Sequence, residues 1–407
     1  MENQHILKKL SAFTTCQFFS ILLKIVDMSK LTANPFKFGD PVQGAYYLDR
    51  PELSSLVRQF LNNRIHVVLM GPRRFGKTSF VLNLLTNLEQ EGYTCLLIDI
   101  FNITSHKDFL NQMLRAIQSK GDFRSKLKTL WRKVGRIAPK VSAEIDPATG
   151  TSSIGFTLGQ LGEEDVKSAI QDLLEELSGL GEKVIVSLDE FQKISEIDDK
   201  GWLEATLRTH MQRLTNVAFL FTGSRKSLIS EMLNDPARPL YRSCQTIEFP
   251  TFGPEFTDWV MERFAIVGIK CEKQAIVYLR ELVQDTPNYV QMVCFHLVAQ
   301  ARSKITYKVV EEVLGTVARQ NAYAYQTLLN SLTLGQQRVL RLAANERRSL
   351  FQKSMLLKYE ISGPSALHSS INALKTKGIL DEEGTGKGNV LFDDPLFAYW
   401  LRLCFTA

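Results

Sequence analysis

Residues 71–79, with the sequence GPRRFGKTS, have the composition and spacing of a loop that holds a chain of phosphates. They follow the apolar run 65–70 and lead into a helix predicted over 77–90, the context in which Gly-x-x-x-x-Gly-Lys-Thr binds phosphate. Glycine lets the backbone wrap so that successive N–H groups and the helix N-terminus face phosphate oxygens. We predict that Lys77 reaches the β- and γ-phosphates and that Thr78 supplies a Mg²⁺ ligand. The predicted nucleotide-binding residues of the loop are Gly71, Pro72, Arg73, Arg74, Phe75, Gly76, Lys77, Thr78 and Ser79.

Two carboxylates follow a second apolar run. The sequence VIVSL at 184–188 is typical of a buried strand, and Asp189 and Glu190 come directly after it. The carboxyl ends of strands in open α/β sheets are where ligands bind. We therefore predict that Asp189 holds Mg²⁺ together with Thr78, and that Glu190 polarises the water that attacks the nucleotide.

A cation follows a third apolar run. The sequence VAFLFT at 217–222 predicts another strand, and Gly223, Ser224 and Arg225 come after it. Because strand ends in such sheets converge on one crevice, we predict that Arg225 senses or stabilises charge at the γ-phosphate. The predicted catalytic residues are Lys77, Glu190 and Arg225.

The order of elements predicts the fold around these residues. Strands predicted over 65–70, 94–100, 183–191 and 217–224 alternate with helices of 10 to 15 residues, which indicates a parallel sheet with helices on both faces. An insertion at about 121–160 interrupts the alternation. It contains a basic amphipathic helix pattern over 124–140 and two alternating strands that form a predicted hairpin around a turn at 146–150.

The pattern after residue 252 is different. Residues 253–328 are predicted to be wholly helical, and 329–407 have the order helix, helix, helix and two-stranded wing that indicates a winged helix. Residues 34–252 would form the sheet domain. Residues 1–33 are predicted to be an N-terminal extension, and the sequence leaves open whether Met28 is the native start.

Composition sets wider limits. The 407 residues are 44% hydrophobic and 23% charged, which is typical of a globular protein with two or three domains, and a net charge of +6 favours acidic partners only mildly. Six scattered cysteines without a C-x-x-C pair argue against a zinc site or a disulfide framework.

The apolar run 16–26 contains Lys24 and falls short of the roughly 20 residues of a membrane span. We therefore expect a cytoplasmic protein that does not use a membrane.

Several of these segments together resemble a known family. The sequences GPRRFGKTS, VIVSLDEFQ, FLFTGSRKS, ARPLYRSCQTIEFPTF, TPNYVQMVC and FDDPLFAYWLR occur in the order found in the archaeal-type ATPases. These belong to the STAND branch of the AAA+-like P-loop NTPases, and the similarity runs from about residue 34 to the C-terminus. The resemblance implies an ASCE/AAA+-like P-loop NTPase fold, with an α/β sheet followed by a helical lid and a winged helix.

The resemblance also implies roles for single residues. The family's arginine after the sensor strand, which reads the γ-phosphate, corresponds to Arg225. The lid proline that packs near adenine corresponds to Pro287. Asp285 stands where the lid motif usually has glycine, and Arg242 stands at the glycine of the family's Leu-Tyr-Gly-Arg. The segment 47–50 resembles the family's segment that leads into the ATPase domain and lies near the nucleotide base.

Two segments could bind macromolecules. The basic run 124–140 could contact nucleic acid or an acidic partner, although cations over a core-facing stripe are the commoner arrangement. In the winged helix, polar and basic residues lie beside the acidic run 381–383, which would repel DNA, so DNA binding is open but not favoured. The polar and basic residues are His368, Ser369, Asn372, Lys375, Lys377 and Lys387.

The sequence therefore favours a switch that binds ATP or ADP with Mg²⁺, hydrolyses ATP slowly and changes conformation between the two nucleotide states. Activation would expose a surface for a homo-oligomer in the ATP state or for an unknown protein partner. The alternatives are a DNA-acting ATPase that uses the winged helix and the basic helix, and an adaptor in which the nucleotide is structural.

Overall fold

A computed structural model describes residues 34–119, 140–145, 152–157, 162–198, 201–300, 302–346, 350–381 and 390–405, with only the backbone for 140–145 and 152–157. The predicted N-terminal extension, nearly all of the basic run 124–140 and the wing tip with Lys387 lie outside the described residues.

Five parallel strands form the central sheet. They are β1 (Val67–Met70), β2 (Thr94–Asp99), β5 (Val184–Asp189), β6 (Val217–Gly223) and β7 (Gln245–Glu248). Their order in the sheet is β2-β5-β6-β1-β7, so β6 lies between β1 and β5 and the ends of these three strands adjoin. Every residue of β5 and β6 is buried, as expected for parallel strands covered on both faces.

Helices cover both faces of this sheet, as predicted. Buried residues of α1 and α2 pack on one face, and buried residues of α3, α4, α6 and α7 pack on the other. These helices, with the short α5, are α1 (Pro51–Asn62), α2 (Lys77–Gln90), α3 (His106–Gln118), α4 (Glu163–Glu176), α5 (Ile194–Ile197), α6 (Trp202–Arg213) and α7 (Lys226–Asn234).

The predicted hairpin within the insertion is present. Strands β3 (Lys140–Ile145) and β4 (Ser152–Thr157) pair antiparallel, with Lys140 opposite Thr157 and Ile145 opposite Ser152.

The C-terminal part is helical and ends in the winged helix. Its elements are α8 (Glu255–Ile266), β8 (Lys270–Cys271), α9 (Lys273–Leu282), α10 (Pro287–Ala299), β9 (Lys304–Ile305), α11 (Tyr307–Gln320), α12 (Ala322–Asn330), α13 (Leu334–Asn345), α14 (Lys353–Lys358), α15 (Pro364–Thr376) and α16 (Pro395–Phe405). The base of the wing is the antiparallel bridge between Leu380 and Phe392. Within the described ranges, no helix is long and apolar enough to span a membrane.

The helical lid and the winged helix share one core. A continuous cluster of buried side chains extends from Trp259 in α8 through Val313 in α11 to Trp400 in α16. We call residues 253–405 the C-terminal body because such a shared core favours movement as one unit. Phe36 belongs to the same cluster, so the lead-in segment, residues 34–48, is attached to this body. The boundary at 328/329 remains a prediction.

Three local expectations need correction. From the sequence we expect Asp49 to cap a helix opened by Pro51. It instead accepts a hydrogen bond from the N–H of its neighbour Arg50 at 2.7 Å, and Arg50 occupies the N-cap position of α1 without a side-chain cap. Strand β7 was not predicted because its mostly exposed residues leave no apolar run. The region predicted to be wholly helical contains the parallel pair β8 and β9, whose two-residue strands are too short for a pattern.

Candidate nucleotide-binding site

The loop 71–76 curls between β1 and the start of α2. Two of its residues have left-handed backbone conformations, Arg74 with φ of 65° and Gly76 with φ of 92°, and Gly76 is the N-cap of α2. Gly71 is needed for space, because a Cβ atom there would lie 2.8 Å from Cβ of Phe249, which follows the neighbouring edge strand β7. The sequence thus forms a tight concave loop at the N-terminus of a helix, the geometry that binds phosphate.

Lys77 lies inside this loop. Its side chain is buried, and Nζ donates hydrogen bonds to the carbonyl oxygens of Gly71 at 2.8 Å and Pro72 at 2.9 Å. Burial lowers the pKa of Lys77, and the nearby carboxylates Glu190 and Asp189 oppose this shift. The Lys77 side chain is therefore held inside the loop, bonded to two of the loop's own carbonyl groups.

Asp189, the last residue of β5, links the start of α2 to the end of β6 through hydrogen bonds. Its Oδ2 accepts a hydrogen bond from the Thr78 hydroxyl at 2.6 Å, and its Oδ1 accepts one from the hydroxyl of Thr222 at the end of β6. Burial raises the pKa of Asp189, while the hydrogen bonds from Thr222 and Thr78 favour the ionised form. Thr222 was not predicted as a site residue, because its apolar neighbours make it part of a buried strand pattern.

Glu190 turns away from the strand direction. Its backbone is left-handed, with φ of 59°, and Oε2 accepts hydrogen bonds from the Ser224 hydroxyl at 2.7 Å and from Nε2 of Gln192. Gln192 is buried beside Gly223, where an added Cβ would lie 2.5 Å from Oε1 of Gln192. The same Cβ would lie closer still to Cδ1 of Ile229, so glycine at the end of β6 leaves room for both of these side chains.

Arg225 lies outside the region around Lys77. Its guanidinium is 3.4 Å from Glu196, its side chain is 45% exposed, and it lines a separate groove on the other side of Arg73. The sequence prediction placed it at the strand end, which is where it lies, but in this conformation its side chain points to a different cavity.

A main cavity of about 620 Å³ opens above the loop. The loop residues from Arg73 to Ser79 and the carboxylate of Glu190 line one side. Pro287, the first residue of α10, lines the opposite side together with aromatic residues of the C-terminal body. The remaining wall is the lead-in segment and the residues after it, including Tyr46 and Tyr47. The cavity is therefore bounded by the sheet domain, the lead-in segment and the C-terminal body.

The two arginines of the loop face this cavity. The Arg74 guanidinium donates a hydrogen bond to the hydroxyl of Tyr289 in α10 and lies 4.0 Å from Asp394, just before α16. Tyr325 of α12 donates its hydroxyl to the same oxygen of Asp394, at 3.1 Å. The phosphate loop therefore contacts both the lid and the winged helix through a single side chain.

Arg50, which follows the lead-in segment, anchors the chain where the sheet domain meets the C-terminal body. Arg50 is buried, and it donates a hydrogen bond to the carbonyl oxygen of Pro250 at 2.6 Å. Its guanidinium lies over the ring of Phe252, 3.6 Å from the ring centre. The lead-in also hydrogen-bonds to α2 at Ser79 and to α10 at Asn288.

Both departures from the family's glycines lie at left-handed positions. Asp285 has φ of 54° and Arg242 has φ of 50°, which explains why glycine is usual there. Asp285 keeps this conformation with a bidentate ion pair to Arg280, at 2.6 and 3.0 Å, directly before the motif that ends in Pro287. The N–H of Arg242 donates to the carbonyl of Leu233, and its side chain lies beside the ring of Tyr241.

Taken together, the parallel sheet, the glycine loop with its buried lysine and the carboxylates at the adjoining strand end define a P-loop ATPase domain with a winged helix. A family model described as an ATPase domain predominantly from Archaea matches residues 49–294, and one described as a probable winged helix domain matches 323–403. The chain belongs to this family of ATPase domains, which confirms the resemblance seen in the sequence. No curated protein sequence matches it significantly.

Solved structures are similar to this chain, and the first of them has the same fold. A Walker-type ATPase of Pyrococcus abyssi has 20% sequence identity and a TM-score of 0.62, over 90% of this chain and 99% of that one. The ADP form of the Aeropyrum pernix ORC2 protein has 14% identity and a TM-score of 0.48, over 91% and 97%. The ORC1 protein of the same organism, in complex with DNA, has 14% identity and a TM-score of 0.45, over 87% and 91%.

Proposed function

We propose that this chain is an ATP-binding and slowly hydrolysing switch whose C-terminal body changes position between the ADP and ATP states. The observation that carries the proposal is the Arg74 cluster. Arg74 belongs to the phosphate loop, yet it contacts Tyr289 of the lid and Asp394 of the winged helix. Phosphates that enter the loop would attract the Arg74 side chain and so change its contacts with the lid and the winged helix.

Adenine nucleotide would lie along the main cavity. The loop amides and the Lys77 ammonium would hold the phosphates, and the base would lie between Pro287 and the lead-in segment. The hydrogen bonds from Lys77 to two loop carbonyls would be exchanged for stronger charge-assisted bonds to phosphate oxygens. This arrangement makes Lys77 the residue on which nucleotide affinity depends most.

Thr78 and Asp189 fit a Mg²⁺ site. Both supply hard oxygen ligands, and their oxygen atoms are 2.6 Å apart at the same edge of the sheet. Bound Mg²⁺ would neutralise charge on the β- and γ-phosphates during transfer. The hydrogen bond from Thr222 holds the other oxygen of Asp189, and so it fixes the orientation of the carboxylate.

Glu190 would act as the general base. It would take a proton from the attacking water while the water oxygen bonds to the γ-phosphorus and the bond to the β–γ bridging oxygen breaks, giving ADP and phosphate. In the present conformation Ser224 and Gln192 both hold its carboxylate. Both hydrogen bonds fall on Oε2, so they orient the carboxylate while Oε1 would accept the proton from water.

Arg225 is proposed to distinguish ATP from ADP. Its pair with Glu196 is long and both side chains are well exposed, so little free energy holds it in place. A γ-phosphate at the end of β6 could attract the guanidinium away from Glu196, whereas ADP offers no such charge. Only a contact that differs between the two nucleotides can shift the conformational equilibrium.

The C-terminal body is suited to respond as one unit because its lid and winged helix share a core. Its repositioning would expose surface for a homo-oligomer in the ATP state or for a protein partner. The DNA-acting alternative is less well supported, because Lys375 and Lys377 of the winged helix line the groove that faces the sheet domain.

The test is to identify the nucleotide that co-purifies and to compare small-angle scattering of the chain with ADP and with a non-hydrolysable ATP analogue. We expect bound ADP, a different scattering profile with the analogue, and turnover that DNA does not change. Identical profiles in the two states would contradict the switch. Hydrolysis that DNA stimulates with a steep salt dependence would favour the alternative.

A further inference from the structure

A second cavity separates the end of β6 from the winged helix. This groove has a volume of about 340 Å³, and residues of both the sheet domain and the C-terminal body line it. We call it the basic groove after its cationic side chains. Among the described residues these are Arg73, Arg225, Lys226, Lys375 and Lys377.

The cations face one another from two bodies. Arg225 and Lys226 follow the end of β6, whereas Lys375 and Lys377 lie at the end of α15 and just beyond it. Cations brought together across a gap repel one another, and an anion between them would turn this repulsion into attraction. The arrangement therefore favours a bound anion over an empty groove.

Carboxylates compensate this charge only in part. Asp381 and Asp393 lie in the groove wall. On the sheet-domain side, Glu196 lies 3.4 Å from Arg225, and Glu248, 76% exposed, lies 3.7 Å from Lys226. The Arg225–Glu196 pair is long and exposed, so it contributes little free energy, and the Lys226 side chain, 15% exposed, has a long pair with an exposed carboxylate. A compact anion with several oxygens can therefore compete for these cations.

The basic groove is distinct from the main cavity but adjoins it. Arg73 lines both, while Lys77 and Thr78 belong to the main cavity. Ser224 lines the groove and donates its hydroxyl to Glu190. An anion in the groove would therefore lie one side chain away from the proposed general base.

We propose that the basic groove binds a small phosphate-class anion, which links the winged helix to the sheet domain. Phosphate oxygens accept hydrogen bonds from several Lys and Arg donors at once. A nucleic-acid strand suits the groove less well, because the two carboxylates in the wall would repel its continuous backbone charge. The proposal goes beyond the switch function and does not require that ATP be hydrolysed.

The experiment titrates inorganic phosphate into the full chain saturated with ADP and Mg²⁺, at low ionic strength. Binding is measured by ³¹P NMR line width, and the thermal unfolding midpoint is recorded in parallel because a ligand of the folded state raises it. The variants are Lys377→Gln and Lys226→Gln, one from each side of the groove. The control is Lys358→Gln, an exposed lysine of the winged helix that pairs with Glu346 at 2.9 Å.

We expect each groove variant to bind phosphate on the order of tenfold more weakly, with ADP affinity unchanged, and the control to bind as the parent does. Phosphate binding should persist in Lys77→Ala titrated without ADP, since this variant is not expected to bind nucleotide. If the parent chain failed to bind ADP, the proposed function would be contradicted, and the same titration without ADP would still test the groove. Phosphate binding that is lost in Lys77→Ala but kept in both groove variants would place the anion in the loop and overturn the proposal. So would a short single-stranded oligonucleotide that binds where phosphate does not.

Discussion

The two carboxylate oxygens of Asp394 make different contacts. A substitution at this residue can therefore separate its effect on nucleotide affinity from its effect on the stability of α16. Oδ1 accepts hydrogen bonds from the N–H groups of Leu396 at 2.9 Å and Phe397 at 3.3 Å, which caps α16. Oδ2 accepts the hydroxyl of Tyr325 at 3.1 Å and faces Arg74 at 4.0 Å. The substitution Asp394→Asn keeps a capping oxygen and removes the negative charge from the main cavity.

The magnitudes follow from this geometry. Asparagine caps helices as well as aspartate, so the free energy of unfolding of Asp394→Asn should stay near that of the parent, whereas Asp394→Ala should lose about 1 kcal/mol. The pair with Arg74 is long and partly exposed, and so it contributes no more than about 1 kcal/mol. Without this anion, Arg74 keeps its contact with Tyr289 but no longer pairs with Asp394, so its charge is more available to phosphate. Affinity for ADP and for the ATP analogue should therefore rise by up to about fivefold.

Calorimetric titration and thermal unfolding measure these two effects on the same samples. Glu360→Gln is a matched control, since it removes one negative charge from an exposed pair with Arg338 elsewhere in the winged helix. We expect it to leave nucleotide affinity unchanged. If Asp394→Asn bound nucleotide with the parent's affinity or more weakly, Asp394 would not compete with phosphate for Arg74, and the proposed coupling would be wrong.

Three further substitutions test separate parts of the site. Glu190→Gln should bind ATP like the parent while steady-state hydrolysis stops, because the general base is lost; parental turnover would refute that role. Arg225→Ala should bring the affinities for ADP and the ATP analogue closer together, whereas Glu196→Gln, which removes the ion pairs of Glu196 with Arg225 and Lys193 but leaves the arginine in place, should keep the difference. Asp285→Ala should lower the unfolding free energy, measured by chemical denaturation, by about 1–2 kcal/mol. Asp285→Gly should lower it by less, because glycine accepts the left-handed backbone. If Asp285→Gly were the less stable of the two, the strain argument would be wrong.

The parts of the site that a short segment specifies could be predicted from the sequence. The loop around Lys77 and the carboxylates after β5 each combine an apolar strand with polar residues at its end, and local sequence is sufficient to place them. The parallel sheet with helices on both faces followed from the same alternation.

Contacts between distant segments could not be predicted. Asp394 and Tyr289 meet Arg74 only because the C-terminal body folds back over the loop, and no spacing in the sequence records that packing. Gln192 reaches Glu190 because a glycine ends the neighbouring strand, which depends on the order of strands in the sheet. The direction of the Arg225 side chain could not be predicted either. Its place after β6 determines where the residue lies, but neighbouring charges determine its rotamer.

The edge strand β7 illustrates a further limit. Its residues Gln245–Glu248 are mostly exposed, so they lack the apolar signal that identified the central strands. Its position next to β1 is nevertheless what brings Phe249 against Gly71.

The measurement that bears most directly on the central claim is a calorimetric titration of the parent chain and of Lys77→Ala with ADP and Mg²⁺. The account predicts saturable binding to the parent and none to Lys77→Ala, with both proteins folded by circular dichroism. A well-folded parent that gives no heat with any adenine nucleotide, or a Lys77→Ala protein that binds as tightly as the parent, would contradict it.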